Sequence, residues 1–245
     1  MSLDYLIHFV LPFSADTFVV TERNFHEQVK KHFVESPQSR VLSVALPWWG
    51  FRDVGSLGQK IVRSGHSFLG YEFPVGILSA DYQATRRYFE MIRDMVVEDI
   101  RRLQALHHFS EVNIVGVSLG CVHATMVSEE FPFDAITLVV PGHCLAESLW
   151  YGIRTQNLRK EFQKQGVILE QLKKEWYALA PEHNVHNMNQ SSITVYLSQS
   201  DKVIPYRCGK KLVEVMRQKG LNPLVRENKY WGHYGTVKRF EWGTI

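Results

Sequence analysis

Ser118 stands in the run Asn113-Ile114-Val115-Gly116-Val117-Ser118-Leu119-Gly120. This is a Gly-x-Ser-x-Gly segment that follows an apolar run and precedes a helical pattern. A serine at such a strand-to-helix turn projects its hydroxyl at the carboxyl end of a sheet. The flanking glycines leave room for close backbone contacts, and the helix N-terminus behind the serine offers amides to a developing oxyanion. A serine alone is a weak nucleophile and needs a base, itself oriented by an acid. Two later segments supply both in the order this arrangement requires. Asp201 lies in Gln199-Ser200-Asp201-Lys202-Val203-Ile204-Pro205, just past an apolar run. His233 lies in Tyr230-Trp231-Gly232-His233-Tyr234-Gly235, which reads as a Gly-flanked loop past a weaker run. On this reading Ser118 attacks, His233 takes and returns its proton, and Asp201 fixes the tautomer and stabilises the imidazolium.

The elements that must position these groups are legible as alternating patterns. Short runs rich in Val, Ile and Leu occupy 41–46, 67–72, 112–117, 135–140 and 193–198, with a weaker one at 224–227. Such runs read as strands buried on both faces. Helical spacing predicts helices over 24–34, 53–63, 85–106, 119–130 and 207–219; Phe25, Val29 and Phe33 carry the first of these. The alternation predicts an α/β fold, a three-layer α/β/α sandwich around a mostly parallel sheet. In such sheets ligands bind beyond the carboxyl ends of the strands.

Residues 145–190 break the alternation with helical patterns at 145–153, 155–165 and 168–180. The stretch is too long for a plain connection. It is expected to form a small helical cap inserted in a single domain spanning 1–245. Its aromatics Trp150, Tyr151, Phe162, Trp176 and Tyr177 either line an apolar pocket or pack the helices onto the core.

From about residue 41 onward the chain resembles the α/β-hydrolase superfamily. The resemblance rests on 112–120, 199–205 and Gly232-His233, in order and in context, and on Leu69-Gly70-Tyr71-Glu72-Phe73-Pro74, which is similar to the family's fourth core strand and its exit. It implies a triad of Ser118, Asp201 and His233, with the Leu119 amide in the oxyanion hole. Two departures stand out. The family often has His-Gly after its third core strand, where a second oxyanion amide arises. Here the segment reads Ala45-Leu46-Pro47-Trp48-Trp49-Gly50, and Pro47 has no amide to give. The second donor is therefore expected at Trp48, with Trp49 the competitor. Cys121 stands where many relatives have a further glycine. The first forty residues read as an apolar stretch at 5–13 and then a helix, so the first strands are expected to be reduced or rearranged.

Other candidates are weaker. Glu147 is the alternative acid, following the 135–140 run, and His143 follows the same run without an evident acid partner. His107, His108, His183 and His186 read as capping or surface residues, and no third metal ligand accompanies them. Cys121 and Cys144 read as small buried residues.

Composition narrows the classes. The 245 residues are 45% hydrophobic, 22% charged and 12% aromatic, which excludes collagen-like, disordered and coiled-coil chains. A formal charge of +3 with Lys and Arg interspersed among acids argues against nucleic acid as a partner. Three cysteines without CxxC spacing argue against a disulfide framework or zinc site and point to a reducing, cytoplasmic setting. The 5–13 stretch contains His8 and Pro12 and lacks a basic flank, so it is not expected to be a signal peptide; no run is long enough to span a membrane. No motif sets an oligomeric state.

The expected function is a serine hydrolase cleaving a small-molecule carboxylic ester or thioester, with no metal or organic cofactor. Trp49, Trp150 and Trp176 are the candidate substrate contacts. The alternatives are amide cleavage or acyl transfer on the same triad, or a hydrolase-like binding protein that has lost turnover.

Overall fold

A computed structural model describes residues 24–241; the 5–13 stretch lies outside them. Seven strands form one sheet in the order β1-β3-β2-β4-β5-β6-β7. They are β1 (Lys30–Val34), β2 (Val41–Leu46), β3 (Ser67–Glu72), β4 (Glu111–Val117), β5 (Ala135–Val139), β6 (Ser192–Ser198) and β7 (Leu224–Asn228). All pairings are parallel except β1 with β3. The helices are α1 (Phe25–Gln28), α2 (Val54–Arg63), α3 (Tyr82–His107), α4 (Gly120–Glu130), α5 (Leu145–Tyr151), α6 (Gln156–Lys164), α7 (Leu169–Glu175), α8 (Tyr206–Gln218) and α9 (Gly232–Arg239).

Strand periodicity divides the core into two faces. Leu42, Val44, Val112, Ile114, Leu138 and Val195 join α3, α4 and α8 in the larger cluster. On the other face Ala45 and Phe68 pack on α2, while Val115, Val117 and Val139 pack with Val237 and Phe240 around α9. Helix α4 is buried from Gly120 through Ser128, which explains its apolar residues all round. The expected three-layer architecture, helices on both faces of a mostly parallel sheet, is therefore present.

One helix is overturned. The 24–34 segment has a single helical turn, α1, and then the antiparallel edge strand β1. A spacing of four is ambiguous, because residues i and i+4 share a face of a helix and also of a strand. Lys30 and Lys31 are exposed on this edge, where charge discourages further strand pairing. Glu72, across the sheet from Lys30, is buried within 3.2 Å of His32.

Candidate active site

Leu46 of β2 pairs with Gly116 of β4, so the exits of these two central strands lie side by side. The turn from β4 into α4 holds Ser118 at φ 55°, a left-handed conformation that L-residues adopt at a cost. The Ser118 N–H donates to the Val139 carbonyl at 2.8 Å, which ties the turn to β5. Both neighbouring glycines are required sterically. A Cβ on Gly116 would lie 2.7 Å from the Cys121 Cα, and one on Gly120 would lie 1.9 Å from the Leu46 carbonyl oxygen. This contact at Gly120 draws the 46–48 chain against the N-terminus of α4.

Asp201 and His233 come together from the next strand exits. Asp201 Oδ2 lies 2.8 Å from His233 Nδ1, and both side chains are buried. The other carboxylate oxygen accepts from the Val203 and Ile204 amides at 2.9 and 3.0 Å. His233 is not in a loop as expected but in the first turn of α9, which opens at Gly232 with φ 64°. Asn228, at the end of β7, clamps the two loops. Its Oδ1 accepts from Ser198 Oγ and the Trp231 amide, both at 3.0 Å, and its Nδ2 donates to Thr236 Oγ1 at 2.9 Å. The Gly232 amide in turn donates to Ser200 Oγ at 3.0 Å.

Ser118 and His233 line the same cavity, of about 80 Å³. Its walls include Trp48, Trp49, Leu119, Leu145, Leu149 and Tyr234. The tryptophans are braced: the Trp48 ring packs 4.1 Å from Phe51, and Trp49 Nε1 donates to the Val75 carbonyl at 2.7 Å. Among the described residues, neither the Leu119 nor the Trp48 backbone N–H has a hydrogen-bond partner.

Trp150 and Trp176 do not line this cavity, contrary to expectation. Trp176 is buried, edge-on to Phe162, with its Nε1 donating to the Tyr82 carbonyl at 2.8 Å. Trp150 is half-buried against the main core. Tyr151 and Tyr177 are largely exposed, packed on Arg207 and His183. Phe162, Trp176 and Trp150 thus pack these helices onto the core. Arg154, Thr155, Ser148 and Tyr234 line the cavity without having been singled out in the sequence. Tyr234 had a signal, its adjacency to His233. Arg154 had none, since its turn lies between two helices whose orientation was unknown.

The alternative acid is engaged elsewhere. Glu147 lies 3.3 Å from His143 Nε2 and 3.2 Å from Lys173 Nζ. A His143 ring nitrogen, a Glu147 oxygen and Cys208 Sγ lie within 4.8 Å of one another, the one such cluster among the described residues with metal-ligand chemistry. Lys173 already balances the carboxylate there. The thiols are poor nucleophiles: burial raises Cys121 and Cys144, and raises Cys208 to about 11. Cys121 is fully buried and donates to the Gly116 carbonyl at 3.1 Å. On the inner side of α4, His123 lies between Phe89 and Phe73, and its two ring nitrogens have no hydrogen-bond partner among the described residues. Burial lowers its pKa to about 3, so it is a neutral core residue.

Solved structures share this architecture. The acylaminoacyl peptidase of Pyrococcus horikoshii is 11% identical, with a TM-score of 0.62 over 86% of this chain and 36% of its own. The chain thus spans little more than a third of that peptidase. An esterase of Pyrococcus furiosus is 12% identical, with a TM-score of 0.62 over 88% of this chain and 82% of its own. Esterase B of Lactobacillus rhamnosis is 14% identical, with a TM-score of 0.60 over 88% and 81%. At these identities the likeness is one of fold. No curated protein matches in sequence. Residues 81–219, which contain Ser118 and Asp201 but end before His233, match a family described only as uncharacterised. The chain is therefore an α/β-hydrolase fold that belongs to the Uncharacterised protein family (UPF0227).

Proposed function

We propose that the protein is a serine hydrolase of carboxylic esters or thioesters. One observation carries this reading: a strained serine and a histidine line one cavity, and the histidine is hydrogen-bonded to a buried carboxylate. The names of structural neighbours, among them an esterase and a lipase/esterase, agree with it.

The steps follow from the groups present. Ser118 Oγ attacks the acyl carbon while His233 Nε2 removes its proton. The carbonyl electron pair collects on oxygen, which the Leu119 and Trp48 N–H groups stabilise; one such donor is typically worth about 10²–10³ in rate. Collapse expels the alcohol or thiol, protonated by His233, and leaves an ester on Ser118. Water, deprotonated by His233, then releases the acid and restores Ser118. Asp201 holds the Nδ1 proton in place throughout. In this reading residues 145–190 are a cap insertion within one domain, contributing Leu145, Ser148, Leu149 and Arg154 to the wall. The three cysteines are free, as suits the reducing cytoplasm. No helix among the described residues is long and apolar enough to cross a membrane.

A fluorophosphonate probe tests the reading. Labelling of the native protein, abolished in Ser118→Ala and strongly slowed in His233→Ala, supports it. Absence of labelling, with no hydrolysis of 4-nitrophenyl esters of graded chain length, refutes it in favour of a hydrolase-like binding protein.

A further inference from the structure

We propose that the substrate carries a carboxylate and that Arg154 binds it. The inference rests on the Ser118-centred reading above and adds a substrate class to it. Among the residues lining the cavity, Arg154 is the only Lys, Arg, Asp or Glu. It is half-buried, and among the described residues it has no ion pair and no side-chain hydrogen bond. Its one charge contact is the face of Tyr234, 5.9 Å from guanidinium carbon to ring centroid. Other arginines are engaged: Arg86 with Glu90 at 2.9 Å, Arg93 with Asp94 at 2.7 Å, and Arg159 with the Trp150 carbonyl at 2.9 Å.

A guanidinium stays ionised at all ordinary pH, so it cannot escape desolvation by neutralising. Half-buried on a wall that also includes Leu149, Val203 and Ile204, with no acid paired to it, the guanidinium is placed to pair with an anion that enters the cavity. Its planar fork matches a carboxylate with two parallel hydrogen bonds. The backbone beneath it is fixed. The Ile153 amide donates to the Lys202 carbonyl at 3.0 Å, and Thr155 Oγ1 donates to the carbonyls of Leu149 and Gly152. A Cβ on Gly152 would lie 2.4 Å from the Val203 carbonyl oxygen, so the turn packs directly on the Asp201 loop. Arg154 is therefore held beside the chain that positions the acid, over the tyrosine that follows the base. The carboxylate can belong to the acyl part, as in a dicarboxylic monoester, or to the departing alcohol or thiol.

Two substrate pairs separate these sources. The 4-nitrophenyl monoester of succinic acid against 4-nitrophenyl butyrate places the charge on the acyl side. The butyrate ester of 4-hydroxybenzoate against that of 4-hydroxybenzamide places it on the departing side. In the native protein kcat/KM for the charged member of one pair is expected to exceed its neutral partner by about 10- to 100-fold, the range of a charge-assisted hydrogen-bonded pair. Arg154→Gln collapses that ratio to near one, Arg154→Lys retains part of it, and added salt narrows it. Ratios near one for both pairs, or a ratio that survives Arg154→Gln, overturn the proposal. Calorimetric binding of monomethyl succinate to Ser118→Ala, and its loss in Ser118→Ala/Arg154→Gln, reads the same contact without turnover. Arg154-dependent binding with no hydrolysis of any ester would sink the Ser118 reading and leave the anion site standing. Hydrolysis with both ratios near one would do the reverse.

Discussion

Asp201→Asn is the sharpest perturbation of the triad, because the structure dictates which way the new amide must turn. The native carboxylate satisfies three donors: His233 Nδ1 on Oδ2, and the Val203 and Ile204 amides on Oδ1. In the variant one oxygen becomes NH₂. Facing it toward the two amides sacrifices two hydrogen bonds; facing it toward His233 sacrifices one. The asparagine amide is neutral, and each buried donor left without an acceptor costs about 1–3 kcal/mol, so the second orientation wins by roughly one such penalty. His233 Nδ1 must then accept, its proton moves to Nε2, and the nitrogen that should take the Ser118 proton is blocked. A penalty of that size suppresses the productive tautomer by about 5- to 150-fold. Loss of the negative charge beside the imidazolium adds to this, for a total fall near 10⁴. The assay is kcat/KM for 4-nitrophenyl butyrate, with Glu147→Gln as comparator, since Glu147 pairs with His143 and Lys173 instead. Turnover of Asp201→Asn within about tenfold of native, or a larger loss in Glu147→Gln, would refute the assignment.

Two further predictions concern stability. His123 titrates near 3 when folded and near 6.5 when unfolded, so the unfolded chain binds the extra proton between those values. Its contribution is constant above about pH 6.5 and falls as pH drops toward 3, at about 1.4 kcal/mol per unit. His123→Leu should therefore reduce the stability lost between neutrality and about pH 4.5, measured by urea unfolding, by about 3 kcal/mol; an unchanged loss would contradict the buried neutral assignment. Ser118→Gly relieves the left-handed strain that Ser118→Ala keeps, and should be the more stable of the two by about 0.5–1 kcal/mol after the greater chain entropy of glycine is counted. Equal thermal unfolding midpoints would mean that the turn stores no strain.

The sheet, and the meeting of Ser118, Asp201 and His233 beyond its strand exits, were legible because they leave local signatures. Runs such as 41–46 and 112–117 are apolar on both faces only where helices cover both, and Gly116 and Gly120 mark places where a Cβ meets backbone. The edge strand β1 was not legible, since a spacing of four suits helix and strand alike. Trp150 and Trp176 misled for a related reason. An aromatic at helical spacing says that a face is buried, not whether it is buried by protein or by ligand, and Trp176 spends its indole N–H on the Tyr82 carbonyl, far along the chain. Arg154 was hidden altogether: its meaning depends on the Gly152 turn docking on the Lys202–Ile204 backbone, a contact between segments some fifty residues apart.

The central claim is that Ser118 forms the covalent intermediate. Its most direct test is acid quenching of the native protein during turnover of 4-nitrophenyl acetate, followed by mass spectrometry of the peptide spanning 113–120. One acetyl group is expected on Ser118, accumulating in His233→Ala only slowly and in Ser118→Ala not at all. Turnover without that adduct, or an acetyl group on another residue with Ser118 unmodified, would contradict it.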